Sequence, residues 1–296
     1  MWKKWTRRAA ILLAAAFFFN IAFYLVYPDV SRLKWERPVK TAFMEYREGQ
    51  WQKAGLQRRI RQEWVPLSRI SPYAVKAVII AEDDKFWSHE GFDFGAIQKA
   101  IEKDLQKRRF KAGGSTISQQ LAKNLYLTPA KNPIRKLKEA ILTWRLEWNL
   151  SKRRIIELYL NVAEWGDGIF GIEAAARHYF GKGAGALTAR EAAALAVVLP
   201  GPLRYHPVGG GRYVESRTKA VYRIMVRRGI VIPEYEQMLN ELAGNGSASL
   251  PSTGDAANPD AADGPSGGEM GTETPAPTVT GAEGEKAQQP PADVRK

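Results

Sequence analysis

Three acids in succession, Glu82, Asp83 and Asp84, close a run too apolar to be surface: Ala74, Val75, Ala77, Val78, Ile79 and Ala81. Ser71 and Pro72 have the types expected of an N-cap and first helical residue, so the run reads as a buried helix that carries Glu82 to the wall of a cleft. A carboxylate there has its proton affinity raised by lost hydration and by like charges, here Asp83 and Asp84, and can exchange a proton near neutrality. The bland reading is a solvated acidic helix end. Phe86, Trp87 and His89 just beyond favour a packed segment.

A second cluster follows at Ser115–Asn124. If Ser115 caps a helix, Thr116, Gln120 and Lys123 fall at i, i+4 and i+7 on one face while Ile117 and Leu121 share the buried one. Hydroxyl, amide and ammonium on one stripe make a donor array for phosphate and sugar oxygens. Asn132 and Pro133 open a long helix with Ile134, Leu137, Ile141, Leu142, Leu146 and Trp148 on its apolar side. Arg135 and Glu139 stand at i, i+4. They form either a helix-stabilising ion pair or a second carboxylate opposite Glu82 with its arginine beside a phosphate. The three histidines, His89, His178 and His206, are too scattered for a zinc site, and there is no cysteine.

The elements that must position these groups read as helices throughout, and no segment alternates as a strand should. Asp93 suits the cap of a helix bearing Ile97, Ala100, Ile101 and Leu105. Lys107–Gly114 is a basic run ending in Gly-Gly, either a flap that closes on an anion or a plain loop. Ser151 opens a helix ending at Asn161, and Thr188 with Glu191 has capping-box spacing. Tyr213–Arg228 and Glu234–Leu242 read as closing helices. Trp64–Leu67 reads as a short extended lead-in to the Ser71 helix.

The chain has 296 residues and a net charge of +13. Its last segment, 244–296, is Gly, Ala, Pro, Ser and Thr with eight acids against three bases, so it carries −5 and the remainder +18. That segment cannot bury enough apolar surface to offset its ordering entropy and reads as an acidic disordered tail. The basic remainder calls for an anionic partner: nucleic acid, membrane surface or a phosphorylated substrate. The N-terminus decides among them. Lys3, Lys4, Arg7 and Arg8 precede a 19-residue run, Ala9–Tyr27, broken only by Asn20, with Tyr24, Tyr27 and Trp35 suited to the far interface. No small-residue cleavage site follows, so the run reads as an uncleaved anchor with a cytoplasmic N-terminus and everything after Pro28 outside. That orientation argues against nucleic acid and leaves lipid headgroups or a lipid phosphate. The organisation expected is a basic stub and anchor (1–28), a membrane-proximal basic region (29–60), a helical domain (61–243) and the tail (244–296).

Taken together, E-D-D-K-F-W-S-H at 82–89, G-S-T-I-S-Q-Q-L-A-K-N at 114–124, R-K-L-K-E at 135–139 with Glu147, and I-E-L-Y-L-N at 156–161 with Gly171, Ala174–Ala176 and Tyr179–Gly181 resemble the peptidoglycan glycosyltransferase family. This chain-polymerising family is also found at the front of bifunctional penicillin-binding proteins. The resemblance spans roughly residues 60 to 230. No S-x-x-K, S-D-N and K-T-G set follows, so the chain resembles the monofunctional form. The resemblance implies an all-α, two-lobed, lysozyme-like domain behind a transmembrane helix, in the bacterial inner membrane with its catalytic domain periplasmic. It implies Glu82 as general base supported by Asp83, with Phe86 and His89 shaping the surroundings. Ser115, Thr116, Gln120, Lys123 and Asn124 would line the donor and phosphate region, and Arg135 with Glu139 would be the diphosphate and metal-associated pair. The cofactor implied is a divalent cation, Mg2+ or Mn2+, held near Glu139. The partners implied are lipid II, the growing glycan strand, membrane lipids and division or elongation proteins. A lysozyme-like hydrolase or lytic transglycosylase is the competing enzyme, although it needs neither phosphate cradle nor anchor. An inactive division-machinery module is the competing non-enzyme.

Overall fold

The computed structural model describes residues 2–107, 114–130 and 132–234. The basic stretch 108–113, the helix expected beyond Glu234 and the low-complexity tail lie outside the described residues, as do the side chains of Ile101 and Leu105.

Helix α1 (Trp2–Phe23) is long and apolar enough to cross a membrane, and none of its span is buried. It is the one such helix among the described residues, a single N-terminal membrane-spanning helix. It starts earlier than the apolar run and ends before it, since Tyr24–Val26 form a turn ahead of Pro28. Arg145 holds that turn to the body, donating to the Tyr24 and Val26 carbonyls at 3.0 and 2.9 Å. Helix α2 (Ala42–Lys53), capped by Thr41 Oγ1 on the Met44 N–H, was not legible as a helix in the sequence.

The strand β1 (Arg61–Gln62) precedes α3 (Pro72–Glu82) and α4 (Phe94–Lys107), the latter capped by Asp93 at 2.9 Å. Then come α5 (Ile117–Tyr126), α6 (Pro133–Asn149) and α7 (Lys152–Val162), followed by β2 (Glu164–Gly166) and β3 (Ile169–Phe170). Helices α8 (Ile172–Phe180), α9 (Ala189–Val198) and α10 (Gly211–Arg227) complete the body. The fold is helical as expected, with one correction: a small sheet of order β1-β3-β2, parallel between β1 and β3 and antiparallel between β3 and β2. Strands of two or three residues are too short to alternate visibly. Asn161 fixes the incoming segment by accepting from the Val65 N–H and donating to the Val65 and Glu157 carbonyls, each at 2.8 to 2.9 Å. Gly171 must be glycine: its φ is +82°, and a Cβ would stand 2.8 Å from the Asn161 carbonyl oxygen.

Two packed groups make the body. Helix α9, buried at nearly every position, lies against α3 and α10, while α5 lies against α6, α7 and α2. Caps follow the sequence at Asn132, Ser151 and the Thr188–Glu191 box. Ser71 holds the N-cap position without a capping bond; its hydroxyl donates instead to the Leu187 carbonyl at 2.8 Å. The cap of α5 is Thr116, not Ser115: Thr116 and Gln119 form a capping box, and Ser115 is exposed. The apolar side expected on α6 is split. Leu142 and Leu146 face the body, whereas Ile134, Leu137, Trp144 and Trp148 are exposed. Glu139, Thr143 and Arg145 take the other body-facing positions, and each is bonded there.

Candidate active site

Between the two groups lies a cavity of about 470 Å3, walled by α2, α5, α6, the start of β2 and the connection from α9 to α10. Glu82 is the last residue of α3 and is half-buried; its Oε2 accepts from Gln120 Nε2 at 2.7 Å, and Gln120 lines the cavity. Gln120 Oε1 accepts from the Tyr159 hydroxyl at 2.9 Å. Burial pushes the Tyr159 hydroxyl well above its ordinary value of 10, so it remains a donor. That donor forces the carbonyl end of the Gln120 amide toward Tyr159 and the NH2 end toward Glu82. Tyr159 thereby orients the group that touches Glu82.

Burial also raises the Glu82 carboxyl above its ordinary 4.5, against the opposing pull of the Gln120 hydrogen bond and the charges of Lys123 and Arg217. Asp83 adds only a small push. Of the two causes read from the sequence, lost hydration therefore dominates and repulsion between the acids is minor. Asp83 is buried at the C-cap of α3, where its carboxylate faces His89 Nε2 at 2.9 and 3.0 Å and accepts from the Ile117 N–H at 2.9 Å. His89 Nδ1 accepts from the Gly91 N–H at 3.1 Å, which leaves Nε2 as the protonated nitrogen that donates to Asp83. Asp84 points outward to Arg228 at 2.6 and 2.8 Å.

The remaining expected site residues divide in the same way. Ser115, Gln120, Lys123, Asn124, Arg135 and Glu139 all line the cavity. Asp83, Phe86, His89 and Thr116 stand behind it: Phe86 is fully buried in the core, and Thr116 Oγ1 donates to the Gly91 carbonyl at 2.7 Å while capping α5. Burial lowers the Lys123 ammonium from its ordinary 10.5, with the neighbouring charges of Glu139 and Glu82 raising it and that of Arg135 lowering it. Glu139 is almost wholly buried, and its two oxygens accept from Arg135 Nη1 at 2.5 Å and from Lys136 Nζ. Arg135 Nε is buried without a partner, so this side chain has donor capacity left over. Among the described residues, no group of three or more His, Asp or Glu side chains could hold a metal ion.

Among the cavity residues that sequence reasoning missed are Lys136, Phe43, Arg47, Glu164, Tyr159 and Arg204. Lys136 was within reach, being three residues before Glu139 on the same helix. Phe43, Arg47 and Glu164 gave no local signal. Arg47 donates from Nε and Nη2 to the two Glu164 oxygens at 2.8 and 2.7 Å across 117 residues of chain, and both side chains are largely buried. The Phe43 ring lies 5.8 Å from both the Arg47 and the Lys123 charge centres.

Comparison with known proteins follows the same lines. A family model described as Transglycosylase matches residues 49–226. The biosynthetic peptidoglycan transglycosylase of Laribacter hongkongensis is 45% identical over 222 residues, which cover 75% of this chain and 96% of that protein. Its counterpart in Nitrosospira multiformis is 42% identical over 228 residues, 77% of this chain and 98% of the relative. That of Dechloromonas aromatica is 53% identical over 171 residues, 58% of this chain and 74% of the relative. With a matched segment that begins within α2, runs through α10 and takes in the cavity residues on α5, α6 and the α9–α10 connection, the chain belongs to the biosynthetic peptidoglycan transglycosylase family.

Proposed function

We propose that this protein is a membrane-anchored inverting glycosyltransferase that polymerises lipid II into β-1,4-linked glycan strands and releases undecaprenyl diphosphate. One observation carries the reading: a carboxylate with raised proton affinity and a cavity rich in cations are joined through a single amide, Gln120. Glu82 takes the proton from the 4-hydroxyl of the acceptor GlcNAc as that oxygen attacks the anomeric carbon of the donor MurNAc. The bond from that carbon to the diphosphate oxygen breaks with its electron pair, which leaves on undecaprenyl diphosphate, and the α-linked donor becomes a β link. Charge developing on the leaving group meets fixed cations, Lys123, Arg135 and Lys136, in a site that needs no reorganisation.

A divalent cation, Mg2+ or Mn2+, belongs to the proposal through Glu139. Mg2+ is commonly held by one or two carboxylates together with substrate phosphates, and Glu139 would supply that carboxylate on displacement of Arg135 or Lys136, which bond its two oxygens in the structure. When bound, the cation would neutralise charge on the leaving diphosphate. Glu139 meanwhile positions Arg135 and Lys136 by accepting from both.

The bases that precede α1's apolar span support a cytoplasmic N-terminus and a periplasmic body in the bacterial inner membrane, where lipid II presents its sugar. The test is turnover by the full-length protein in detergent, with lipid II and with purified peptidoglycan as separate substrates. Glycan strands and undecaprenyl diphosphate are expected from the first, with no cleavage of the second. Cleavage of peptidoglycan without lipid II turnover would overturn the reading in favour of the hydrolase.

A further inference from the structure

The charges that line the cavity do not balance. Five are cationic, on Arg47, Lys123, Arg135, Lys136 and Arg204, and two are anionic, on Glu139 and Glu164. Both carboxylates are taken: Glu164 by Arg47, and Glu139 by Arg135 and Lys136 together. Lys123 and Arg204 have no ion pair with a described residue. Lys123 was expected at the site. Arg204 sits in the connection from α9 to α10, where the sequence reads Pro200, Gly201 and Pro202 as a helix stop and gives Arg204 no role.

That connection is built to hold its shape. Pro200 and Pro202 restrict the backbone on either side of Gly201. The Gly201 N–H donates to the Val198 carbonyl at 3.0 Å, and the Gly201 carbonyl accepts from both the Arg204 and Tyr205 N–H groups at 2.9 Å. The Arg204 guanidinium stands 5.5 Å above the Tyr205 ring, which in turn stacks on Tyr213 of α10 with centroids 4.7 Å apart. Stacking on an aromatic face uses the plane of a guanidinium and leaves its in-plane N–H fork open for an oxyanion. An exposed arginine on an unordered loop would lose much of its binding energy in being ordered. Arg204 is itself exposed, but the connection that carries it is held by backbone hydrogen bonds and its guanidinium lies by the Tyr205 ring, so less order is lost on binding.

We propose that Arg204 binds the diphosphate of the lipid-linked substrate, and that it does so from the α9–α10 connection while Lys123 does so from α5. The inference rests on reading the cavity as the diphosphate site and adds the residue that holds the group from a second element. Its test is binding of undecaprenyl diphosphate, and separately of undecaprenol, to the full-length protein in detergent micelles. The difference between the two lipids isolates the charged group. Arg204→Ala is expected to weaken undecaprenyl diphosphate binding by at least about tenfold and to leave undecaprenol binding unchanged, the usual scale for a charged hydrogen bond. Arg204→Lys, which keeps the charge and loses the fork, is expected to recover part of the loss, and it decides the matter should the alanine variant not fold. Lys123→Ala is the reference. If it loses the diphosphate while both Arg204 variants bind as wild type, the role of Arg204 is overturned and the cavity reading stands. If Lys123→Ala and the Arg204 variants all bind as wild type, the cavity reading falls and the inference with it. An equal loss of both lipids by Arg204→Ala would make Arg204 a packing residue and would also overturn the proposal.

Discussion

Glu82 and Glu139 are the same side chain at two ends of one site, placed in opposite ways. Glu82 closes a helix that is apolar apart from Tyr73 and Lys76; it has one neutral hydrogen-bond partner, Gln120, and burial raises its proton affinity. Glu139 lies deeper, yet two cations one turn back on its own helix bond both of its oxygens. Burial without an ion-paired partner raises the proton affinity of Glu82, whereas Glu139, bonded by two cations, positions them. Gln120 and Lys123, one turn apart on α5, connect the two ends, and this spacing sets the proposed proton acceptor beside the proposed anion site.

The sharpest way to break this comparison is Glu82→Gln, which keeps shape and removes the proposed base. Polymerisation is expected to fall at least about a hundredfold. Stability is expected to move the other way. A carboxyl raised by folding contributes stability below its unfolded pKa and loses that contribution as pH rises through the folded one, so at neutral pH the wild type carries a penalty that glutamine lacks. Thermal melts at neutral pH should therefore show Glu82→Gln at least as stable as wild type. In the wild-type pH profile, the acid limb should fall above the ordinary 4.5 of a glutamate, and the alkaline limb, set by Lys123, below the ordinary 10.5 of a lysine. An acid limb that survives in Glu82→Gln at near-wild-type rate would assign the base elsewhere.

A smaller loss sharpens the other end. Glu139→Gln frees Arg135 and Lys136 from the carboxylate that aims them, and about a tenfold fall in turnover is expected, the scale of a lost charge-assisted hydrogen bond. The size of that fall should respond to Mg2+ or Mn2+ concentration. If Glu139 were only one member of a helix ion pair, the change would be a few tenths of a kcal/mol in stability and turnover would be untouched. Initial rates at several cation concentrations, on protein first shown to be folded, separate these outcomes.

What the sequence made legible is what one helix can align. Glu82 at the end of α3, Gln120 and Lys123 on one face of α5, and Arg135 with Glu139 on α6 are each set by local spacing, and all but Glu82 line the cavity directly. What it hid needed the third dimension. Arg47 and Glu164 meet across 117 residues, and Arg204 gains meaning only from the accounting of charge around it. Glu82, Asp83 and Asp84 looked alike because a sequence shows that acids are adjacent and not where each one points. On α6, composition showed more apolar surface than the body covers but not which stripe stays outside. The two-residue strands left no periodicity to read.

Asp84 gives the smallest effect and the cleanest control, since it differs from Glu82 by two positions and a rotation. Its carboxylate lies outside the cavity, about half exposed, with Arg228 on both oxygens. The Arg228 hydrogen bonds hold its pKa below the ordinary 3.8, so the pair's stabilisation is present above that value and is lost as pH falls through the lowered one. An exposed pair of this kind contributes about 0.2 to 1 kcal/mol, because water screens it and two side chains must be ordered to form it. For a body of this size that is a shift in Tm of at most about 4 °C. Asp84→Asn is therefore expected to lower Tm slightly at neutral pH, to lose even that difference in strong acid, and to leave lipid II turnover and the acid limb of its pH profile unchanged. If turnover instead fell as far as in Glu82→Gln, or the acid limb shifted, the three acids would be acting as a coupled cluster. The contrast between a desolvated carboxylate and a paired one would then not account for the base.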